Sequence, residues 1–299
     1  MNTITSPKAQ LDRTVVVQRN EFKRFLAVFL GRKVVIFFGL IILGMVVMAI
    51  FAPWLAPHDP YKTDLSKTLQ PPSKEHLLGT DSLGRDLLSR IICGSRISLK
   101  VGLISVSGAA FIGVLLGLIA GYMGRIVDTI ISRITDAVIA FPGIILALAI
   151  GAVLGEGMWS VIVALWIGLV PTYVRVMRGQ VLAVKESEYI NAAIVIGASQ
   201  ARIMMKHLLP NCISPIIVLF TMNLGVAILA EASLSYLGIG VTGEPSWGAM
   251  VNMGQSYLVQ NPMLSFAPGA CVLLVVLAFN MVGDALRDAL DPRLRGSSR

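Results

Sequence analysis

The stretch VGLISVSGAAFIGVLLGLIAGYMG, residues 101–124, carries no charged side chain. A hydrocarbon core of about 30 Å needs about 20 helical residues at 1.5 Å rise each, so this stretch can cross a membrane as one helix. Five further uncharged, largely apolar windows share the property, at residues 34–58, 137–155, 157–174, 208–230 and 245–283. The whole chain agrees with its windows: 55% of its 299 residues are hydrophobic, 14% are charged and the mean hydropathy is +0.76. A soluble protein has roughly 25% charged residues. The expected fold is therefore all-α, a polytopic membrane protein with six transmembrane helices. They are placed at about 34–55, from 101, and at about 130–154, 158–178, 211–236 and 266–286. With so much of the chain in lipid, a separate nucleotide-binding or metal-dependent catalytic domain has no room.

The formal charge of +8 lies in residues that flank the windows, which points to membrane lipid and argues against nucleic acid. Cys93, Cys212 and Cys271 are isolated, so no disulfide framework or zinc cluster is legible. His58, His76 and His207 are equally scattered, and no metal site and no catalytic residue is expected. Residues 1–33 form a basic tail in which Phe22, Phe25, Leu26 and Phe29 recur at helical spacing, the pattern of a helix lying at the membrane surface. The tail is too long and the small-residue site too poor for a cleaved secretion signal, so residues 34–55 read as an uncleaved anchor.

Counting Lys and Arg by loop places both termini in the cytoplasm, with 18 of the 25 basic residues on that side. The discordant segment is 56–100, which holds the other seven. There Thr80-Asp81 can cap a short amphipathic helix carrying Leu83, Leu87, Leu88, Ile91 and Ile92, with Gly94 to end it and pairs Asp81–Arg85 and Asp86–Arg90 four apart. The core is expected at 101–286, including a cytoplasmic loop at 185–211, and a cytoplasmic tail at 287–299.

That loop is the informative one. Glu188 to Gly197 is rich in Ala and Ile, Gly197 makes a break, Ser199 can cap a second short helix, and Arg202 and Lys206 lie one turn apart before Pro210. Two short helices around a Gly make a knob, which suits either a socket on a partner or a hairpin lying on the membrane.

Asn191-Ala192-Ala193, three residues, Gly197, then nine residues to His207-Leu208-Leu209-Pro210 resembles the coupling loop of bacterial ABC importer permeases. The family has Glu where this chain has Asn191, and Ile where it has His207. His76-Leu77-Leu78-Gly79-Thr80-Asp81 with Gly84-Arg85-Asp86, the stretch Pro245-Ser246-Trp247-Gly248, and the ending from Phe279-Asn280 through Asp291-Pro292 are similar to the second permease subunit of the dipeptide, oligopeptide and nickel importer class. The resemblance covers about residues 20–296. It implies half of a translocation path for di- or oligopeptides, or else nickel complexes, glutathione or another small solute. It also implies a second homologous permease subunit, two cytoplasmic ATPase subunits and an extracytoplasmic solute-binding protein. Asn191, Ala192, Ala193, Gly197, Ser199, Arg202, Lys206, Leu209 and Pro210 would couple to the ATPases. The chain has no Gly-x-x-x-x-Gly-Lys-Ser/Thr loop, so it is not itself an enzyme, and ATP and magnesium would be bound by the partners.

Charges at membrane depth need a partner or water. Arg133 with Asp136, and Asp284 with Arg287, are three apart and are expected to pair as helix anchors. Glu231 has no basic partner on its own helix. With Thr221, Asn223 and Ser235 it makes either a polar stripe along the translocation path or a buried hydrogen bond that locks packing. A secondary transporter using Glu231 is the competing function, weakened by the lack of an inverted repeat.

Overall fold

The computed structural model describes residues 31–241 and 243–290, and the expected surface helix around Phe22–Phe29 lies outside them. Nine helices, besides a short 3-10 turn at Leu65–Lys67, run through the described residues. They are α1 (Lys33–Leu55), α2 (Leu87–Met123), α3 (Arg125–Ile139), α4 (Gly143–Leu154), α5 (Met158–Val184), α6 (Glu188–Val195), α7 (Gln200–Tyr236), α8 (Trp247–Gln255) and α9 (Met263–Leu290). No strand occurs among the described residues, as the all-α expectation requires. Five helices, α1, α2, α5, α7 and α9, are long and apolar enough to cross a membrane.

The sixth crossing is α3 with α4, and it corrects the expectation of one continuous span at 130–154, because the two helices meet at 91°. Pro142 explains the break: its ring excludes the residue before it from helical geometry, and it lacks an N–H to donate. α2 ends at the same end of the molecule as α3 begins, whereas Gly157, after α4, donates its N–H to Gly240 at the far end of α7. The bent pair therefore passes from one end of the bundle to the other. Pro171, Pro215 and Pro268, by contrast, sit inside their helices.

Close approach of α2 and α5 forms the centre of the core. Gly113, Gly117 and Gly121 recur every four residues on one face of α2, and a Cβ at Gly117 would lie 2.6 Å from the Val174 carbonyl oxygen. Lipid offers no hydrophobic gain for helix association, so contact through small residues supplies the attraction instead. Around this pair, Val101, Val106, Leu118, Val161, Ile162, Tyr173 and Met177 are buried together with Ile203, Leu208 and Ile216 of α7. A second cluster joins α1 and α9 to the start of α2 and to Trp247 of α8.

Residues 56–86 fold into an ordered cap at the end of α1 rather than the expected short helix. Asp81 does not start a helix, because its carboxylate is taken up by the Leu83 and Arg85 N–H groups and by Arg85 Nε at 2.7 Å, across a turn that Gly84 makes with φ +71°. Asp86 is the N-cap, accepting from the Ser89 N–H at 2.8 Å. It does not pair with Arg90, whose guanidinium instead lies 3.6 Å from Asp81 and donates to the Pro60 carbonyl. Nor does Gly94 end the helix. It lies within α2 because a Cβ there would press on Trp247 at 3.0 Å, and the Trp247 indole N–H donates to the Ile91 carbonyl beside it.

Candidate functional site

Three places hold the polar and exposed groups that the sequence singled out. The first is the knob formed by α6 and the start of α7. Ile190 and Ala193 are buried and seat α6 on the bundle, while Asn191 and Ala192 face outward. At its end the Gly197 N–H donates to the Ile194 carbonyl and the Ala198 N–H to the Ala193 carbonyl, with Gly197 at φ +80°. This is a left-handed helix stop that L side chains resist. Ser199 then caps the next helix, its Oγ accepting from the Arg202 N–H at 3.4 Å.

The turn so made holds Val195 and Ile196 in the open, 85% and 83% exposed, beside exposed Ile194. Next to them a cleft of about 550 Å³ is lined by Tyr122, Met123, Lys185, Glu186, Ile190, Asn191, Ile194 and Gln200. Arg202 and Lys206 are exposed on the neighbouring turn, and Leu209 and Pro210 follow on the same helix.

The second short helix does not end at Pro210, which corrects the sequence reading. Residues Ile203–Leu208 take a π turn, in which the Leu209 N–H reaches back to the Met204 carbonyl, and the helix continues without interruption to Tyr236. Pro210 has no N–H to lose, and the wider turn makes room for its ring. The knob is therefore one end of a 37-residue helix whose remainder crosses the bundle.

Glu231 occupies the second place. It is 0% exposed, and its carboxylate accepts from Ser98 Oγ of α2 at 3.1 Å and from Ser235 Oγ of its own helix at 2.8 Å. Asn223 is buried too, and Thr221 turns its hydroxyl back to the Ile217 carbonyl. These four residues do not form one open stripe in this subunit. Of the two sequence readings, Glu231 takes the arrangement of a buried hydrogen bond joining α2 to α7.

The third place is the set of ion pairs at the knob end of the bundle. Asp136 does not pair with Arg133 but with Arg175 of α5 at 2.6 Å, and Asp128 takes both Arg178 Nε and Arg178 Nη2. That ion pair holds the Asp128 carboxyl against α5. Asp284 and Arg287 do not pair either, and no ion pair includes Arg133, Asp284 or Arg287 among the described residues. Asp288 instead meets Arg32 at 2.8 Å, tying the start of α1 to the end of α9. Spacing along one helix identified Asp136 as an acid that needs a partner, and the partner came from a neighbouring helix.

One grouping escaped the sequence reading altogether. His58 and His76, 18 positions apart, bring their rings to 4.7 Å between centroids, with Asp86 against His76 Nδ1 at 2.9 Å. Glu75 lies beside them, its carboxyl lowered below the usual range by a hydrogen bond from Lys67.

Residues 113–296 match the family described as "Binding-protein-dependent transport system inner membrane component", and residues 21–72 match the "N-terminal TM domain of oligopeptide transport permease C". The dipeptide transport system permease protein DppC of Alkalihalophilus pseudofirmus is 46% identical, covering 86% of this chain and 85% of its own. The glutathione transport system permease protein GsiD of Pectobacterium atrosepticum is 43% identical over 93% of both chains. The probable D,D-dipeptide transport system permease protein DdpC of Escherichia coli is 42% identical, over 86% and 87%. Among solved structures, the inward-facing MetNI methionine ABC transporter matches with a TM-score of 0.56 and 21% identity, covering 69% of this chain and 97% of that one, a likeness of fold.

Proposed function

The chain belongs to the family of binding-protein-dependent transport system inner membrane components, and from that premise we propose that it moves short peptides and is driven through its knob. It is a multi-pass inner-membrane permease subunit of an ABC importer, not a catalytic enzyme, and it works with ATPase and solute-binding partners. The observation that carries the coupling role is the unbroken helix from Gln200 to Tyr236, which begins beside exposed Val195 and Ile196 and continues through the bundle. A displacement of the knob by a partner moves one end of a helix that continues into the bundle. Two neighbouring states of the subunit then differ in how α7 packs on α2 and α9, and a partner that grips the knob better in one state shifts the balance between them.

Short peptides are supported by the relatives, whose names give dipeptides, D,D-dipeptides and glutathione. In this reading the chain is half of the path, a second related permease subunit is the other half, two ATPase subunits sit on the knob side, and ATP and magnesium stay with them. Both termini face the cytoplasm. The gathering of Arg32, Arg125, Arg175, Arg178, Lys185, Arg202, Lys206 and Arg287 at the knob end supports that orientation.

Proteoliposomes holding the purified complex, with ATP inside and the binding protein outside, test the substrate class. The expected result is ATP-dependent accumulation of a labelled dipeptide. Accumulation of nickel or of a free amino acid, with none of any di-, tri- or oligopeptide, would contradict it.

A further inference from the structure

The cap between α1 and α2 holds two histidines and two carboxylates that permease activity does not explain. His58 lies three residues beyond the end of α1, and its backbone N–H donates to Ser89 Oγ, which in turn donates to Asp86 Oδ2 at 2.7 Å. Its Nε2 lies 2.9 Å from the Glu75 carbonyl; a carbonyl can only accept, so Nε2 carries the proton and Nδ1 keeps a lone pair. His76 is 6% exposed and Asp86 3%. With Asp86 Oδ1 accepting from His76 Nδ1, the other nitrogen, Nε2, is buried without a hydrogen-bond partner, and Glu75 Oε1, itself an acceptor, lies 3.9 Å from it.

We propose that His58, His76 and Asp86 form a binding site for a divalent transition cation of the zinc class. One nitrogen from each histidine and one Asp86 oxygen already lie within 4.8 Å of one another. Two imidazoles and a carboxylate suit zinc, whose bonds of about 2.0–2.2 Å set tetrahedral ligands about 3.4 Å apart, so His76 Nδ1 and Asp86 Oδ1 open slightly from 2.9 Å while the His58 nitrogen closes in by no more than about 1.5 Å. The protons balance without loss. The cation takes the place of the hydrogen between His76 Nδ1 and Asp86 Oδ1, and that proton moves to His76 Nε2. Nε2 then becomes a donor facing the Glu75 carboxylate, the outer-sphere partner that metal-bound histidines ordinarily have. The orphaned nitrogen and the misplaced acceptor are resolved together. A bound cation would tie the exit of α1 to the first turn of α2, far from the knob.

The test strips the purified, detergent-solubilised complex with a chelator, adds zinc, desalts and measures retained metal by mass spectrometry. His58→Ala removes one ligand from a half-buried loop position and leaves the helices intact. The wild type should retain about one zinc per complex more than the variant, and zinc should raise the unfolding temperature of the wild type alone. Cobalt added to the stripped wild type should give the visible absorption of a nitrogen- and oxygen-bound ion, which does not depend on any variant folding. Equal zinc in the two proteins, or no visible absorption with cobalt, overturns the proposal and leaves His76 as a hydrogen-bonded anchor of the loop.

Discussion

Glu231 shows what one residue discloses and what it withholds. The sequence marks it as an acid without a basic neighbour along its helix, which requires an answer from elsewhere, and the answer is Ser98, 133 positions away. No local pattern could name that partner, because a Ser on an apolar helix has many possible faces. The same holds for His58 and His76, whose meeting depends on the fold of the cap. Glu231→Ala would leave the Ser98 and Ser235 hydroxyls buried without an acceptor, at a cost of about 1–3 kcal/mol. The purified complex should therefore unfold at a lower temperature. Glu231→Gln keeps a carbonyl oxygen for one hydroxyl and should lose less stability with transport largely retained. A Gln variant of normal stability that no longer transports would move Glu231 from packing to the path.

At the scale of elements, the windows of apolar sequence located every long helix, since a membrane crossing is fixed by length and charge. The ends were harder. Asp81 and Asp86 are equally good caps on paper, and the turn in which Leu83 and Arg85 take up the Asp81 carboxylate decides that only Asp86 begins α2. Gly94 and Pro210 look like stops in isolation. The first is retained by the indole of Trp247, and the second is accommodated by a π turn. The glycine repeat at 113, 117 and 121 was a legible packing signal that helix counting overlooks. Gly197 is the joint on which the knob depends. A Cβ there meets nothing within 4 Å, so Gly197→Val costs backbone conformation alone, about 1–2 kcal/mol for a residue forced left-handed. The variant should insert normally yet lose most uptake, whereas Gly197→Asn, which tolerates this conformation, should keep it. Normal uptake by the Val variant would separate the turn from coupling.

At the scale of the molecule, the two ends of the bundle differ in charge and in work. The knob end carries the ion pairs from α3 to α5 and exposed Ile194, Val195 and Ile196; the other end carries α8 and the folded cap with its own basic residues. In a protein without other reactive cysteines, Lys74→Cys and Gln255→Cys should label from outside intact cells with an impermeant thiol reagent, and Gln200→Cys only after lysis. Reversed labelling would invert the membrane orientation and with it the site of the ATPases. In the proposed coupling, those partners grip the turn at residues 194–197. The most direct measurement of that grip is recovery of the ATPase subunits with the tagged permease in mild detergent, for the wild type and for Val195→Asp with Ile196→Asp. Two buried anchors lost from an interface cost more than about 1 kcal/mol each, so recovery should fall by about tenfold or more at unchanged permease level in the membrane. Undiminished recovery of the ATPases by the double variant would contradict the account.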